Sequence, residues 1–219
     1  MNKKILIFSL VSIFLNSYDV HADMFLGEFI DHSDDLPLTS EGALRDAETS
    51  TTGKFVVYGK TVEDNHTGYL SQSNILEKKS GLIVIHEWWG LNEDIQLMTD
   101  QLAGLGYTAL AVDLYDGQSA TEVRDAFQLS TNLSKNEALV LTNIKAAYDY
   151  LIKEKGVDKV GIIGWCLGGK WSLRGALMLP DDIDAAVIYY GSLINDKDKL
   201  DTLEMPIIGF VGTKDRLYK

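Results

Sequence analysis

The only cysteine in the chain, Cys166, stands inside the run VGIIGWCLGG at positions 160–169. An apolar strand-like segment there runs into Gly164, Trp165, Cys166, Leu167, Gly168 and Gly169, and a helix-like segment follows. A nucleophile presented on so sharp a strand-to-helix turn needs glycine on both sides, because flanking side chains would collide. The turn also sets the thiol at a helix N-terminus, whose partial positive charge favours the thiolate. The chemistry expected is attack of sulfur on an electrophilic carbon. Most free cysteines are simply small buried hydrophobes. A filler has no reason to occupy the exposed apex of a sheet, however, so the nucleophilic reading is preferred.

A second cluster, HEWWGLN at positions 86–92, follows an apolar run. In a doubly wound sheet the C-terminal strand ends share one edge, so this loop is expected to face the Cys166 turn. Glu87 then becomes a candidate base, its pKa raised by a partly dry crevice. The backbone N–H groups of Trp88 and Leu167 become candidate donors to an oxyanion. For Trp88 and Trp89 ordinary core packing competes with any role in the site.

The elements that must position these residues are legible as pattern. Residues 82–85, 108–112, 160–163, 185–189 and 207–211 are short aliphatic runs bounded by Gly, Pro or Asp, and are read as five buried strands. Between them Ile95, Met98, Leu102 and Leu105 recur at helical spacing, as do Leu141, Ile144, Tyr148 and Leu151, with Gly106 and Gly156 closing the two helices. Alternating strands and helices predict a mostly parallel sheet with helices on both faces. Ahead of it, residues 55–58 and a partner around Tyr69 and Leu70 predict an antiparallel hairpin, with turn chemistry from Gly59 and from Asn65 to Gly68.

The chain has 219 residues, 46% hydrophobic and 24% charged, with a formal net charge of -12. That composition suits one folded domain and shows no basic stripe, which argues against nucleic acid as a partner. It also disfavours anionic ligands at long range, whereas an uncharged ester or lactone meets no such field. Lys3 and Lys4, an apolar run at residues 5–15, and a small-residue site ending at Ala22 predict a signal peptide over residues 1–22. The run is too short to span a membrane, so an exported chain, periplasmic or secreted and without stable membrane insertion, is expected. Residues 23–53 are read as a loosely structured leader and 54–219 as the domain.

Taken together, HEWWGLN, the strand and Asp113 in ALAVDLYDG, GWCLGG, and FVGTKD ending at Asp215 resemble the dienelactone hydrolase family, in particular its exported members. The resemblance runs from about Phe55 to Lys219 and implies an α/β-hydrolase fold. It implies further that Cys166 attacks a lactone or ester carbonyl to give an acyl-enzyme. Glu87 would accept the thiol proton, and Asp215 would orient a histidine. No histidine follows Cys166: the four are His21, His32, His66 and His86. His32 and His66 fall in polar segments read as exposed, and His86 has a strand-end position suited to packing. The last sheet strand, the histidine loop and the closing helix are therefore expected to lie beyond Lys219.

Two other readings compete. A degenerate hydrolase fold used for binding would alkylate slowly at Cys166 and turn over no ester. A thiol redox protein would hold a stable sulfenic acid there. No His or Cys pair has metal-ligand spacing and no dinucleotide fingerprint is present, so neither metal nor cofactor is expected, and the partner is a small molecule. Arg124, Arg174 and Arg216 are the candidates for holding a carboxylate. The pattern sets neither the substrate nor the oligomeric state.

Overall fold

The expected hairpin is present and longer than its apolar residues suggest. β1 (Thr51–Lys60) pairs antiparallel with β2 (Asn65–Ser73), with a bulge between Val57 and Gly59. Asn65 to Gly68, assigned to a turn by composition, lie inside β2. A Cβ on Gly68 would come within 2.3 Å of the Ala111 carbonyl oxygen, so glycine there permits close strand approach rather than a turn. The computed structural model describes residues 35–37, 39, 43–47, 50–60, 65–74 and 79–213. The expected signal peptide, residues 1–22, and most of the leader lie outside the described residues, as does Asp215.

Within the unit Pro37–Lys219 the hairpin forms one edge of a seven-stranded sheet. The remaining strands are β3 (Ser80–Ile85), β4 (Thr108–Val112), β5 (Lys159–Trp165), β6 (Ala185–Tyr189) and β7 (Ile207–Phe210), in the order β1-β2-β4-β3-β5-β6-β7. β2 runs antiparallel to β4, and all later pairings are parallel. Helices α1 (Glu93–Gly104), α2 (Val123–Ser134), α3 (Glu137–Lys155) and α4 (Leu167–Met178) connect them. From β3 the chain moves outward to β4, then crosses back to β5 on the other side of β3. The strand order therefore reverses between β3 and β5, which is where open α/β sheets leave a crevice at the strand C-termini.

Alternation along the central strands divides the core. Ile83, Ile85, Leu110, Val112 and Ile162 pack on one face with Ile144 and Leu151 of α3 and Trp171 of α4. Val84, Ala109, Ala111 and Ile163 pack on the other with Ile95 and Ala103 of α1. The helix stripe of α1 differs from the expected one: Ile95, Thr99 and Ala103 are buried, at i, i+4 spacing, while Leu105 is exposed past the helix end. Thr99 tolerates burial because its hydroxyl donates 2.6 Å to the Ile95 carbonyl. α3 ends as expected, with Gly156 in the left-handed region at φ 65°. Helix α2 had no sequence signal singled out for it.

The fifth expected buried strand is corrected. Every residue of β7 is exposed, with Ile208 at 55%, because β7 is the last strand in the sheet order and pairs with β6 alone among the described strands. Among the described residues no helix is long and apolar enough to cross a membrane.

Candidate active site

Cys166 sits between the last residue of β5 and the first of α4, with φ 53° and ψ -115°, a conformation L-residues rarely adopt. Long-range contacts hold it there. Its N–H donates 3.0 Å to the Tyr189 carbonyl on β6, and its own carbonyl accepts from Lys170 N–H at 3.2 Å. The glycines around it are required by backbone proximity. A Cβ on Gly164 would lie 2.4 Å from the Gly168 carbonyl oxygen, one on Gly168 2.2 Å from that of Ile85, and one on Gly169 2.0 Å from that of Tyr190. The elbow thus arises where α4 starts directly over the ends of β3 and β6, and Cys166 remains partly exposed.

Register brings the chain leading to Glu87 alongside the strand leading to Cys166. Ile85 pairs with Gly164 across the parallel β3–β5 ladder, and Glu87 and Cys166 each follow two residues later. Trp88 is half-buried and packs edge-on to Trp89 with ring centroids 5.2 Å apart. Leu167 is the first residue of α4, so its N–H has no carbonyl one turn back to receive it. Gly90 and Ser119 form an isolated bridge, and Ala120 N–H donates 2.9 Å to the Trp89 carbonyl. The loops after β3 and β4 are therefore laced together on one wall of the crevice. Asp113 organises the second loop: its carboxylate accepts from the N–H groups of Tyr115 at 2.8 Å and Gly117 at 2.6 Å.

His86 is fully buried and both ring nitrogens are used. Nε2 accepts from Leu114 N–H at 3.2 Å, which leaves the proton on Nδ1 for the Glu87 carbonyl at 2.5 Å. The ring stitches the end of β3 to the end of β4 and has no nitrogen to offer Cys166. Burial holds its pKa below the ordinary 6.5, against the opposing pull of the Glu87 carbonyl and the Asp113 charge. An unfolded chain then binds a proton that the folded one refuses, so this stability is full above the unfolded pKa and is lost as pH falls through it. The urea midpoint should drop between pH 7.5 and about 5.5, above the usual carboxylate range. A flat midpoint across that window would contradict the neutral, buried ring. His66 also departs from expectation. It is half-buried rather than exposed, with Nδ1 3.3 Å from the Asn143 amide, because β2 faces α3 there.

Two tyrosines that sequence patterning did not single out meet these residues. Tyr190, just past β6, donates through its hydroxyl to Glu87 Oε1 at 3.1 Å. Tyr115, only 4% exposed, packs its ring on His86 with centroids 4.7 Å apart. Its hydroxyl is buried without a hydrogen-bond partner, and its pKa is raised by burial and then by the nearby Cys166 sulfur. Tyr115 lies in the quoted ALAVDLYDG string, which offered a signal; the register that brings Tyr190 to Glu87 left none. Of the candidate arginines, Arg174 is engaged by Glu137 at 3.4 Å, Arg124 is exposed on α2, and Arg216 lies outside the described residues. Among the described residues no group of three His, Cys, Asp or Glu is arranged to hold a metal. Beside the laced loops a cleft of about 580 Å³ is lined by residues including Gln118, Ser119, Asp125, Gln128 and Asn132, with no lysine or arginine.

Comparison with known proteins agrees with this architecture. A family model described as the dienelactone hydrolase family matches residues 67–219. "Protein usf" of Aquifex pyrophilus is 35% identical over 166 residues, covering 72% of each chain. A protein of Aquifex aeolicus (strain VF5), provisionally named carboxymethylenebutenolidase, is 31% identical over 166 residues, again with 72% of each chain covered. A solved structure called m3DLH superposes with a TM-score of 0.67 at 26% identity, covering 76% of this chain and 71% of that one.

Proposed function

The chain belongs to the dienelactone hydrolase family, and from that premise we propose that it is a hydrolase that opens a lactone or cleaves a carboxylic ester through an acyl-enzyme on Cys166. The observation that carries the reading is the positive-φ elbow at the strand-order reversal, on a strand that pairs with the one leading to Glu87. As the sulfur bonds to the carbonyl carbon, its proton passes to the Glu87 carboxylate, and the carbonyl π pair moves onto oxygen. The N–H groups of Trp88 and Leu167 receive that oxyanion. When it collapses the alkoxide leaves, taking a proton, and the acyl group stays on sulfur. Water then releases the acid, the step for which Asp215 would orient a histidine.

Uncharged substrates fit best. The net charge of -12 repels anions at long range, whereas an uncharged ester or lactone meets no such field. The direct test is trapping. After brief exposure to p-nitrophenyl acetate and acid quench, peptide mass spectrometry should find one acetyl group on the peptide carrying Cys166. Acetylation confined to lysines or the amino terminus would defeat the assignment.

A further inference from the structure

We infer that Tyr190 is a positioning residue for the Glu87 carboxylate at the Cys166 elbow, its hydroxyl holding one carboxylate oxygen and so restricting how the group can turn. The inference rests on the reading of Glu87 as the proton acceptor and adds the residue that orients it. Topology supplies the main argument. Glu87 follows β3 and Tyr190 follows β6, and in the sheet these strands flank β5, whose end carries Cys166. A 3.1 Å hydrogen bond between side chains 103 residues apart therefore spans the mouth of the elbow from one neighbouring strand to the other.

The backbone around Tyr190 is built to hold it there. Tyr190 has φ 39°, one of three non-glycine residues with positive φ among those described, and Cys166 is another. Such strain persists only where the surroundings over-determine it. Here Tyr190 N–H donates 2.6 Å to the Phe210 carbonyl on β7, and α4 presses on its carbonyl through Gly169, where a Cβ would lie 2.0 Å away. Gly191, at φ 125°, turns the chain against the Cys166 carbonyl, where a Cβ would lie 2.3 Å away. The strained Tyr190 and the strained Cys166 are thus fixed against each other by shared backbone contacts. Tyr190 is 40% exposed, so its hydroxyl lies at the surface rather than in the core.

A phenol donating to a carboxylate favours its charged form and restricts its rotation. Tyr190→Phe keeps the ring and backbone and removes the donor alone. Measured as the rate of the p-nitrophenol burst from p-nitrophenyl acetate, acylation should slow about tenfold in Tyr190→Phe and on the order of 100-fold in Glu87→Gln. The acid limb of the Tyr190→Phe burst profile should move upward by about half a unit to one unit, as the carboxylate holds its proton more tightly. The double variant should match Glu87→Gln within about twofold, since two groups acting through one contact do not add. A Tyr190→Phe loss of equal size in both backgrounds, or a uniform loss with an unmoved acid limb, overturns the inference and leaves Glu87 as the base. A Glu87→Gln burst as fast as that of the unsubstituted chain, or no burst from that chain at all, sinks the underlying reading instead.

Discussion

If Cys166 is the nucleophile, Cys166→Ala should abolish the p-nitrophenol burst and lower the rate of ester cleavage on the order of 10⁴-fold or more. Folding should be nearly untouched. The side chain is only partly buried, and the hydrogen bonds that hold the elbow, from Cys166 N–H to Tyr189 and from Lys170 N–H to the Cys166 carbonyl, are made by backbone atoms that alanine retains. The left-handed φ is as costly for alanine as for cysteine, so the strain cancels in the comparison. The measurement is stopped-flow release of p-nitrophenol with active-site titration, next to a urea melt of the same preparation. Equal bursts in the two proteins would remove sulfur from the mechanism, whatever the fold.

Gly168→Ala should do the reverse, removing activity by removing the fold. The added methyl would lie 2.2 Å from the Ile85 carbonyl oxygen and 2.8 Å from that of His86. Both obstacles are main-chain atoms of a central strand and its exit, and neither can rotate away as a side chain could. Relief would require lifting α4 from β3, which uncovers Trp171, one of the largest fully buried side chains. A loss of about 4 kcal/mol is expected, large for a single methyl group, with poor soluble yield as the practical sign. Gly209→Ala is the matched control. Gly209 lies on exposed β7 with nothing within 4 Å of its Cβ position, and a change within about 0.5 kcal/mol is expected from urea unfolding. Similar melts for the two variants would mean that the tight packing of the elbow is not a source of stability.

The two experiments separate the turn from the proposed nucleophile it presents. Gly164, Gly168 and Gly169 create the turn, and Cys166 uses it. Tyr190 and His86 illustrate the same division on the neighbouring loop. His86 locks the strand end through two backbone hydrogen bonds, and Tyr190 holds the carboxylate that this strand end projects.

Much of this was legible from residues close together in the chain. The elbow could be read because its requirement is local: a strained turn from strand to helix excludes Cβ atoms on both sides, and GWCLGG meets that requirement within six residues. The parallel strands could be read because burial on both faces demands unbroken aliphatic runs, and β4 appears where its run predicts. Gly68 shows where such reading stops. A glycine beside Asn and His has turn composition, yet the Ala111 carbonyl on a strand more than 40 residues away makes it a strand residue. For β7 the same aliphatic signal misled, because a run of residues carries no information about whether a second neighbour exists. Sequence alone therefore determined the family, the strands of the sheet and the nucleophile's candidate position. Only the tertiary structure decided that the strand leading to Glu87 pairs with the strand leading to Cys166, that His86 has no nitrogen to spare, and that Tyr190 reaches the Glu87 carboxylate. The physical reason is that these relations are set by strand order and pairing register, which arise between segments far apart in the chain and leave no periodicity within any one of them.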